Sequence, residues 1–115
     1  MNYIEERPWG KFEILSDEEY TKVKKITVNP GGVLSYQFHH NRSELWVIVK
    51  GEAVVKLNDI EYTKTYGQTI SIAACDKHNI RNEQETDLVF IEVQTGGYFG
   101  EDDIVRIEDK YGRDK

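Results

Sequence analysis

The side chains best suited to chemistry lie in one stretch, GGVLSYQFHHNRSELWVIVKG, which spans residues 31–51. Its first half alternates as a β-strand does, so Gln37 and His39 point to the same side. The polar segment that follows is suited to reversing the chain, and a hairpin would then bring Glu44 to face them. An amide oxygen, an imidazole and a carboxylate that converge are three of the four ligands that a first-row divalent cation commonly takes.

The rest of the chain is predicted to supply strands around this stretch. Period-two alternation recurs between turn signals spaced roughly every 6 to 12 residues, and no stretch before residue 100 has helical periodicity. We therefore expect an all-β sandwich or barrel. Alternation leaves open which face of the strand at 20–28 is buried. The predicted strands are 11–15, 20–28, 33–39, 44–49, 52–57, 60–64, 69–73, 78–82 and 88–94, with Asn58-Asp59 as a tight turn.

The length and charge of the chain limit what can surround such a site. With 115 residues the chain is expected to fold as one domain, 1–115, with room for a modest core and one site. The 21 Asp and Glu outnumber the 15 Lys and Arg, which gives a net charge of −6 and a pI of about 5.1. This balance argues against a general nucleic-acid or membrane-surface binder, although a local basic cluster can still bind a phosphate.

The cysteine content and the hydropathy of the chain indicate its cellular compartment. Cys75 is the only cysteine and cannot form an internal disulfide, and the first residues lack the basic and apolar pattern of a signal peptide. No apolar run approaches the ~20 residues needed to cross a bilayer. We expect a soluble protein of the cytoplasm.

The tail from residue 96 to 113 has a different residue pattern from the rest of the chain. Its charges alternate with Ile104, Val105 and Ile107, which are too few apolar positions to predict a helix. Two interpretations stay open. The tail is either a solvated flap that covers a sheet edge or a segment that helps to form the site.

Two motifs carry a resemblance to a known family. Residues 31–51 fit the spacing G-x5-H-x-H-x4-E-x6-G, with Gln37 in place of the first histidine. Residues 67–82 (GQTISIAACDKHNIRN) fit G-x5-P-x-G-x2-H-x3-N, with Ala73 and Cys75 in place of the proline and glycine. The chain thus resembles the cupins, which implies a double-stranded β-helix, or jelly-roll barrel, with short N- and C-terminal extensions. The resemblance also implies an internal metal ion, and the implied ligands are Gln37, His39, Glu44 and His78.

A narrower resemblance covers nearly the whole chain. The segments ERPWGKFEIL, YTKVKKITVNPGG, LSYQFHHNRSELW and IEVQTGGYFGEDDIVRIEDKYGR are similar to the C-terminal cupin domain of type II phosphomannose isomerases. In that family the domain often follows a mannose-1-phosphate guanylyltransferase domain. The implied activity is the interconversion of mannose 6-phosphate and fructose 6-phosphate, in which a proton moves between C1 and C2 through an enediolate. The implied partner is therefore a small sugar phosphate.

Further residues are candidates for catalysis and substrate binding. Arg42 lies beside the ligands, matches an arginine of the family motif, and is the first choice to stabilise an oxyanion or to grip phosphate. His40 has a suitable intrinsic pKa for carrying the proton but alternates away from His39, and Lys25 is a third catalytic candidate. The candidates for substrate binding are Glu101 and Arg106.

Some positions depart from the family pattern and keep other functions open. The family commonly has histidines where Asn41 and Leu45 stand, and the changes at Ala73 and Cys75 should reshape the turn before His78. These departures favour two alternatives: a non-catalytic cupin that binds a sugar or another small molecule, or an isomerase of a different phosphorylated sugar. An iron-dependent dioxygenase is a weaker alternative, because its typical site is richer in histidine.

The resemblance also bears on the metal and the oligomer. Nitrogen and oxygen ligands suit zinc, which is the first expectation because type I phosphomannose isomerases use a similar ligand set with zinc, but manganese, cobalt, nickel or iron also fit. A homodimer is expected, because small cupin barrels commonly pair through sheet edges.

Overall fold

The computed structural model describes residues 2–112, which form two antiparallel β-sheets packed face to face. The only helical element in this part of the chain is a 3-10 turn, Glu101–Asp103, and no helix there has the length and hydropathy of a membrane span. The strands are β1 Tyr3–Arg7, β2 Gly10–Asp17, β3 Thr21–Val28, β4 Tyr36–His39, β5 Arg42–Lys50, β6 Ala53–Leu57, β7 Ile60–Lys64, β8 Thr69–Ile72, β9 His78–Arg81, β10 Leu88–Gly96 and β11 Ile104–Glu108.

The two sheets form the walls of a jelly-roll barrel. The first has the order β1-β2-β3-β10-β5-β8 and the second the order β11-β4-β9-β6-β7. The apolar core fills one part of the space between them and includes Val28, Ile48, Ile80, Leu88 and Phe90, all at most 4% exposed. Burying each such side chain contributes about 1.5–3 kcal/mol. The strands that build this core therefore have their positions fixed by packing.

Alternation in β5 and β10 changes from apolar to polar along the interior face. The inward positions of β10 are Leu88, Phe90, Glu92 and Gln94, and those of β5 run from Ile48 back through Trp46 and Glu44 to Arg42. The two strands pair directly, so their polar halves lie side by side. The barrel thus has an apolar end and a polar end, and the polar end holds the candidate site.

The hairpin predicted for residues 33–49 is wrong, because its two strands belong to different sheets. β4 pairs with β9 and β11, whereas β5 pairs with β10 and β8. The short polar bend at His40-Asn41 carries the chain across the barrel. Asp103 fixes this bend by accepting hydrogen bonds from the backbone N–H groups of His40 (3.3 Å) and Asn41 (3.0 Å).

The remaining predicted strands are confirmed in outline. Asn58 and Asp59 form the tight β6–β7 turn with φ values of 48° and 72°, the left-handed pair that suits a two-residue hairpin. The first predicted strand of the motif is shorter than expected: it begins at Tyr36, and Val33 forms only an isolated bridge with Arg81. The sequence reasoning missed β1 and β11, which lie at sheet edges where one face or both stay solvated.

The tail serves both of the purposes considered for it. β11 pairs with β4 and covers that edge of the second sheet. Just before it, the carbonyl of Phe99 accepts a hydrogen bond from the guanidinium of Arg42, at 3.3 Å. The tail therefore contacts the polar end of the barrel as well as its edge.

Candidate metal centre and substrate cavity

Three of the four predicted ligands converge in the barrel interior. His39, Glu44 and His78 are each at most 5% exposed, and each offers a ligand atom that lies within 4.8 Å of the others. The separations are 3.7 Å from His39 Nδ1 to Glu44 Oε2 and 3.9 Å from His78 Nε2 to Glu44 Oε1. They come from β4, β5 and β9, so both sheets contribute.

The fourth predicted ligand, Gln37, is directly opposite His78 in the β4–β9 pairing. Its Oε1 atom and His78 Nε2 are both buried and have no hydrogen-bond partner among the residues described. A buried polar atom without a partner is costly, because it has given up its hydrogen bonds to water. Two such atoms beside a carboxylate are therefore the arrangement that a divalent cation would satisfy.

The orientation of His78 is fixed from outside the site. Its Nδ1 lies 2.8 Å from the Asp76 carbonyl oxygen, an acceptor, so Nδ1 carries the proton and Nε2 presents a lone pair to the interior. Metal-binding histidines are commonly oriented in this way by a second hydrogen bond. Burial lowers the pKa of His78. It also lowers the pKa of His39, helped by the charge of Arg42, to about 3, so both imidazoles are neutral near pH 7.

Arg42 is buried against the candidate ligands. Its Nε donates to Glu44 Oε2 at 3.0 Å, and a terminal nitrogen donates to His39 Nε2 at 2.7 Å. Its third contact is the hydrogen bond to the Phe99 carbonyl. A guanidinium held in this way places a positive charge beside the ligand set and orients both the carboxylate and the imidazole.

The sequence reasoning missed a second buried carboxyl, Glu92. The indole N–H of Trp46 points between Glu44 Oε1 (2.9 Å) and Glu92 Oε1 (3.2 Å), and the amide of Gln94 donates to Glu92 Oε2 at 2.6 Å. Burial, followed by the nearby charge of Glu44, raises the pKa of Glu92 to about 7. The signal was available: Glu92 and Gln94 occupy the inward phase of an otherwise apolar strand.

A cavity extends from the ligands towards the edge strands β1 and β11. Gln37, Arg42, Glu44, Trp46 and Glu92 line its inner part together with apolar residues. The other charged side chains that line it are Arg7, Lys24 and Arg106. It is thus lined by four cationic side chains and two carboxylates, a balance that favours an anionic ligand.

The expectation that Lys25 is catalytic does not fit this geometry. Alternation in β3 turns Lys24 inward, where it is 5% exposed, and turns Lys25 to the outer face of the first sheet. There the Lys25 ammonium lies 3.9 Å from Glu13. The cation that the strand supplies to the cavity is therefore Lys24.

His40 is also outside the cavity. Its ring packs edge-on against Phe38 at 5.2 Å, and its Nδ1 lies 3.8 Å from the thiol sulfur of the exposed Cys75. His40 is exposed, and neither of these side-chain contacts is with a candidate ligand. Arg106, in contrast, does line the cavity, whereas the side chain of Glu101 is outside the described part of the structure.

Residues 3–109 match the family described as mannose-6-phosphate isomerase C-terminal. The chain belongs to this family. Alignments with curated proteins agree: the chain is 45% identical over 107 residues to the xanthan biosynthesis protein XanB of Xanthomonas campestris, and 44% identical over 107 residues to the alginate biosynthesis protein AlgA of Pseudomonas aeruginosa. Each alignment covers 93% of this chain but only 23% and 22% of the relatives, so the chain spans less than a quarter of their length.

Solved structures confirm the fold. The capsular polysaccharide assembling protein CapF of Staphylococcus aureus superposes with a TM-score of 0.82 at 23% identity, over 95% of this chain and 35% of CapF. A double-stranded β-helix protein of Klebsiella pneumoniae gives 0.74 at 18% identity, covering 84% of this chain and 83% of its own. The barrel is therefore the cupin double-stranded β-helix that the two motifs predicted.

Two departures from the pattern of this family lie outside the cavity. Asn41 is exposed, and its side-chain amide donates to Asp103 at 3.1 Å, so it belongs to the bend. Leu45 points to the outer face of the first sheet and is 39% exposed. Neither side chain contacts the candidate ligands, so these changes do not argue against catalysis.

The turn before His78 keeps its function despite losing the expected proline and glycine. Cys75 adopts a φ of +71°, a conformation that suits glycine, and its N–H donates to the His39 carbonyl at 2.7 Å. The Asp76 carboxylate accepts from the N–H of Ala73 at 2.9 Å and closes the turn. Cys75 thus adopts the left-handed conformation that a glycine would adopt without strain, and His78 still points inward.

Proposed function

We propose that this chain is a metal-dependent sugar-phosphate isomerase that interconverts mannose 6-phosphate and fructose 6-phosphate. The observation that carries the proposal is the convergence of two buried imidazoles and a carboxylate, with an unpartnered amide oxygen nearby, beside a cavity that Gln37 and Glu44 line together with four cationic side chains. Family membership supports the substrate class. An aldose-ketose isomerase needs such a site, because negative charge develops on two adjacent substrate oxygens.

The residues present fit a metal ion. Gln37, His39, Glu44 and His78 would hold it, once Arg42 releases the Nε2 atom of His39 whose lone pair accepts its hydrogen bond in this structure. Zinc is the first candidate for this set of nitrogen and oxygen donors, with manganese, cobalt, nickel and iron as alternatives. When bound, the metal supplies a Lewis acid that polarises the substrate oxygens. The chain itself keeps both imidazoles neutral by burial, and it holds Glu44 in place through Arg42 and Trp46.

Arg42 adds charge stabilisation of its own. It lines the cavity beside Glu44, and we infer that its guanidinium stabilises the negative charge that develops on the enediolate oxygens. A donor that is already positioned in a water-poor interior stabilises such charge without having to reorganise. The buried apolar side chains of Trp46 and Ile26 line the same cavity.

A coupled assay of mannose 6-phosphate formation from fructose 6-phosphate, with each of the candidate metals, tests the proposal. His39→Ala and His78→Ala should lower metal content and turnover sharply. His40→Ala is the matched control, because His40 lies outside the cavity, and it should keep both. Metal binding without turnover on any hexose phosphate would contradict the isomerase function and favour a binding cupin instead.

We also infer a homodimer in the cytoplasm, as expected from the sequence. The sheet edges that are available for pairing in the described structure are β1 and β8 in one sheet and β7 and β11 in the other. Pairing of an edge strand with a second copy would satisfy its outward backbone groups.

A further inference from the structure

We propose that Lys24 and Arg106 together bind the phosphate of the substrate and make the cavity selective for phosphorylated over free sugars. The identity of the sugar rests on the proposed function. The anion subsite itself rests on the geometry of these two residues and can be tested without turnover.

Lys24 is an interior cation on one wall of the cavity. It is only 5% exposed, and its ammonium lies 4.2 Å from the centre of the Phe12 ring. Across the β3–β10 pairing its direct neighbour is Glu92. Lys24 has contacts within the fold, and its position on the cavity lining adds a positive charge that an anionic ligand in the cavity would meet.

Arg106 lies on the facing sheet. In the β11–β4 pairing it is opposite Gln37, so its strand is adjacent to the strand that carries two of the candidate ligands. Its Nε is buried and has no hydrogen-bond partner among the residues described, although the side chain lines the cavity. An N–H in this state calls for an acceptor, and phosphate oxygens match a guanidinium well.

The other two cations of the cavity also have contacts within the fold. Arg42 is engaged by Glu44, His39 and the Phe99 carbonyl at the ligand end. Arg7 pairs with Glu5 and stacks over the Phe12 ring. A hexose 6-phosphate whose C1 and C2 lie at the ligands carries its dianion several bonds away, and Lys24 and Arg106 are cations that line the same cavity from different sheets.

The test is calorimetric titration with inorganic phosphate, fructose 6-phosphate and unphosphorylated fructose. It is done on the protein as purified and again after chelator treatment, so that anion binding to a metal is not mistaken for this subsite. Lys24→Met and Arg106→Gln should each weaken binding of both phosphates by roughly 10-fold or more, because each removes a charge-assisted hydrogen bond. Lys25→Met is the matched control, since it removes the neighbouring charge from the outer face, and should stay within about twofold of the parent protein.

The possible outcomes separate this inference from the proposed function. Phosphate affinity that is unchanged in both variants, lost in only one, or absent in the parent protein overturns the subsite. If Lys24→Met fails to fold, as judged by circular dichroism, Arg106→Gln decides alone, because that residue is on an edge strand. Phosphate binding that depends on both residues, in a protein without isomerase turnover, supports the subsite and contradicts only the proposed function. Isomerase turnover with an unchanged KM in both variants supports the proposed function and contradicts the subsite.

Discussion

At the scale of single residues, the chemistry depends on how Arg42 is held. Arg42 contacts two candidate ligands, His39 and Glu44, and it also donates a hydrogen bond to the Phe99 carbonyl in the tail. These contacts fix the direction of its planar fork. We therefore propose a specific form of the role predicted from its position in the motif, namely to place a positive charge beside the reacting oxygens.

We expect Arg42→Ala to lower isomerase turnover by ~10²-fold or more, the scale seen when one preorganised oxyanion donor is removed. Metal content should be retained, because the ligands themselves are unchanged and a neighbouring positive charge has been removed. Arg42→Lys should recover little, since an ammonium lacks the bidentate geometry. The measurement is the coupled assay, with metal content determined on the same samples.

Arg81→Ala is the matched control for this substitution. Arg81 is on the outside of the second sheet, where it pairs with Glu61 and Glu83, so its loss should leave turnover near the parental rate. If Arg42→Ala also turned over at the parental rate, Arg42 would have a structural role only.

At the scale of elements, two short connections between the sheets present the ligands. The bend at His40-Asn41 separates β4 from β5 and is held by Asp103. Burial alone would raise the pKa of Asp103, but its hydrogen bonds with Asn41 and His40 outweigh that effect and lower it. The carboxylate therefore stays ionised and keeps the bend in place. The second connection, between β8 and β9, contains Cys75 and aims His78.

Cys75→Gly should stabilise the protein by about 0.5–1 kcal/mol. The left-handed backbone at Cys75 costs a residue with a Cβ about 1–2 kcal/mol, and the greater freedom of glycine in the unfolded chain offsets part of that gain. Urea unfolding monitored by circular dichroism measures the difference. Cys75→Ser is the control, because it changes the thiol but keeps the strained conformation, and it should show no such gain. Equal stability of the two variants would mean that the strain is negligible.

At the scale of the whole molecule, the charged groups buried at the polar end of the barrel are expected to lower its stability. The apolar end packs side chains such as Ile80 and Phe90 that are fully buried, whereas the other end buries Lys24, Glu44 and Glu92. Burying charged groups opposes folding unless they are paired or bound to a ligand. The interior is therefore expected to gain stability when a polar group is replaced by a neutral one of the same shape.

Glu92→Gln tests this through the pH dependence of stability, measured by urea unfolding of chelator-treated protein at pH 5 and pH 8. With a folded-state pKa of about 7, Glu92 stabilises the fold below its unfolded pKa of 4.5, and this contribution is lost as the pH rises through 7. The stability of Glu92→Gln relative to the parent should thus rise between these pH values, by up to about 3 kcal/mol. His39 has the opposite pH dependence, but it is common to both proteins and cancels in the difference.

The exposed Glu85 supplies the control for this measurement. Glu85→Gln should change stability little at either pH, because the carboxyl is solvated in both states. A Glu92→Gln difference that stayed constant with pH would show that Glu92 is ionised in the fold throughout this range.

The sequence by itself predicted most of the strands and a candidate ligand set. Period-two alternation is a local property, so most strands and the Asn58-Asp59 turn could be predicted without tertiary information. Two motif spacings, which resemble those of the cupins, named Gln37, His39, Glu44 and His78, and the fold that they predicted is confirmed. The convergence of His39, Glu44 and His78 agrees with that prediction.

The tertiary structure decided which strands pair and which faces are inward. Alternation shows that Lys24 and Lys25 lie on opposite faces of β3, but it does not show which face is inward. The pairing of β3 with β2 and β10 places Lys24 in the interior and Lys25 on the exterior. The predicted hairpin at residues 33–49 is instead a crossing between two sheets. β4 forms its hydrogen bonds with β9 and β11 and not with β5. Glu44 still faces His39, but from the opposite wall of the barrel, and the long-range pairing that places it there is not encoded in any local pattern.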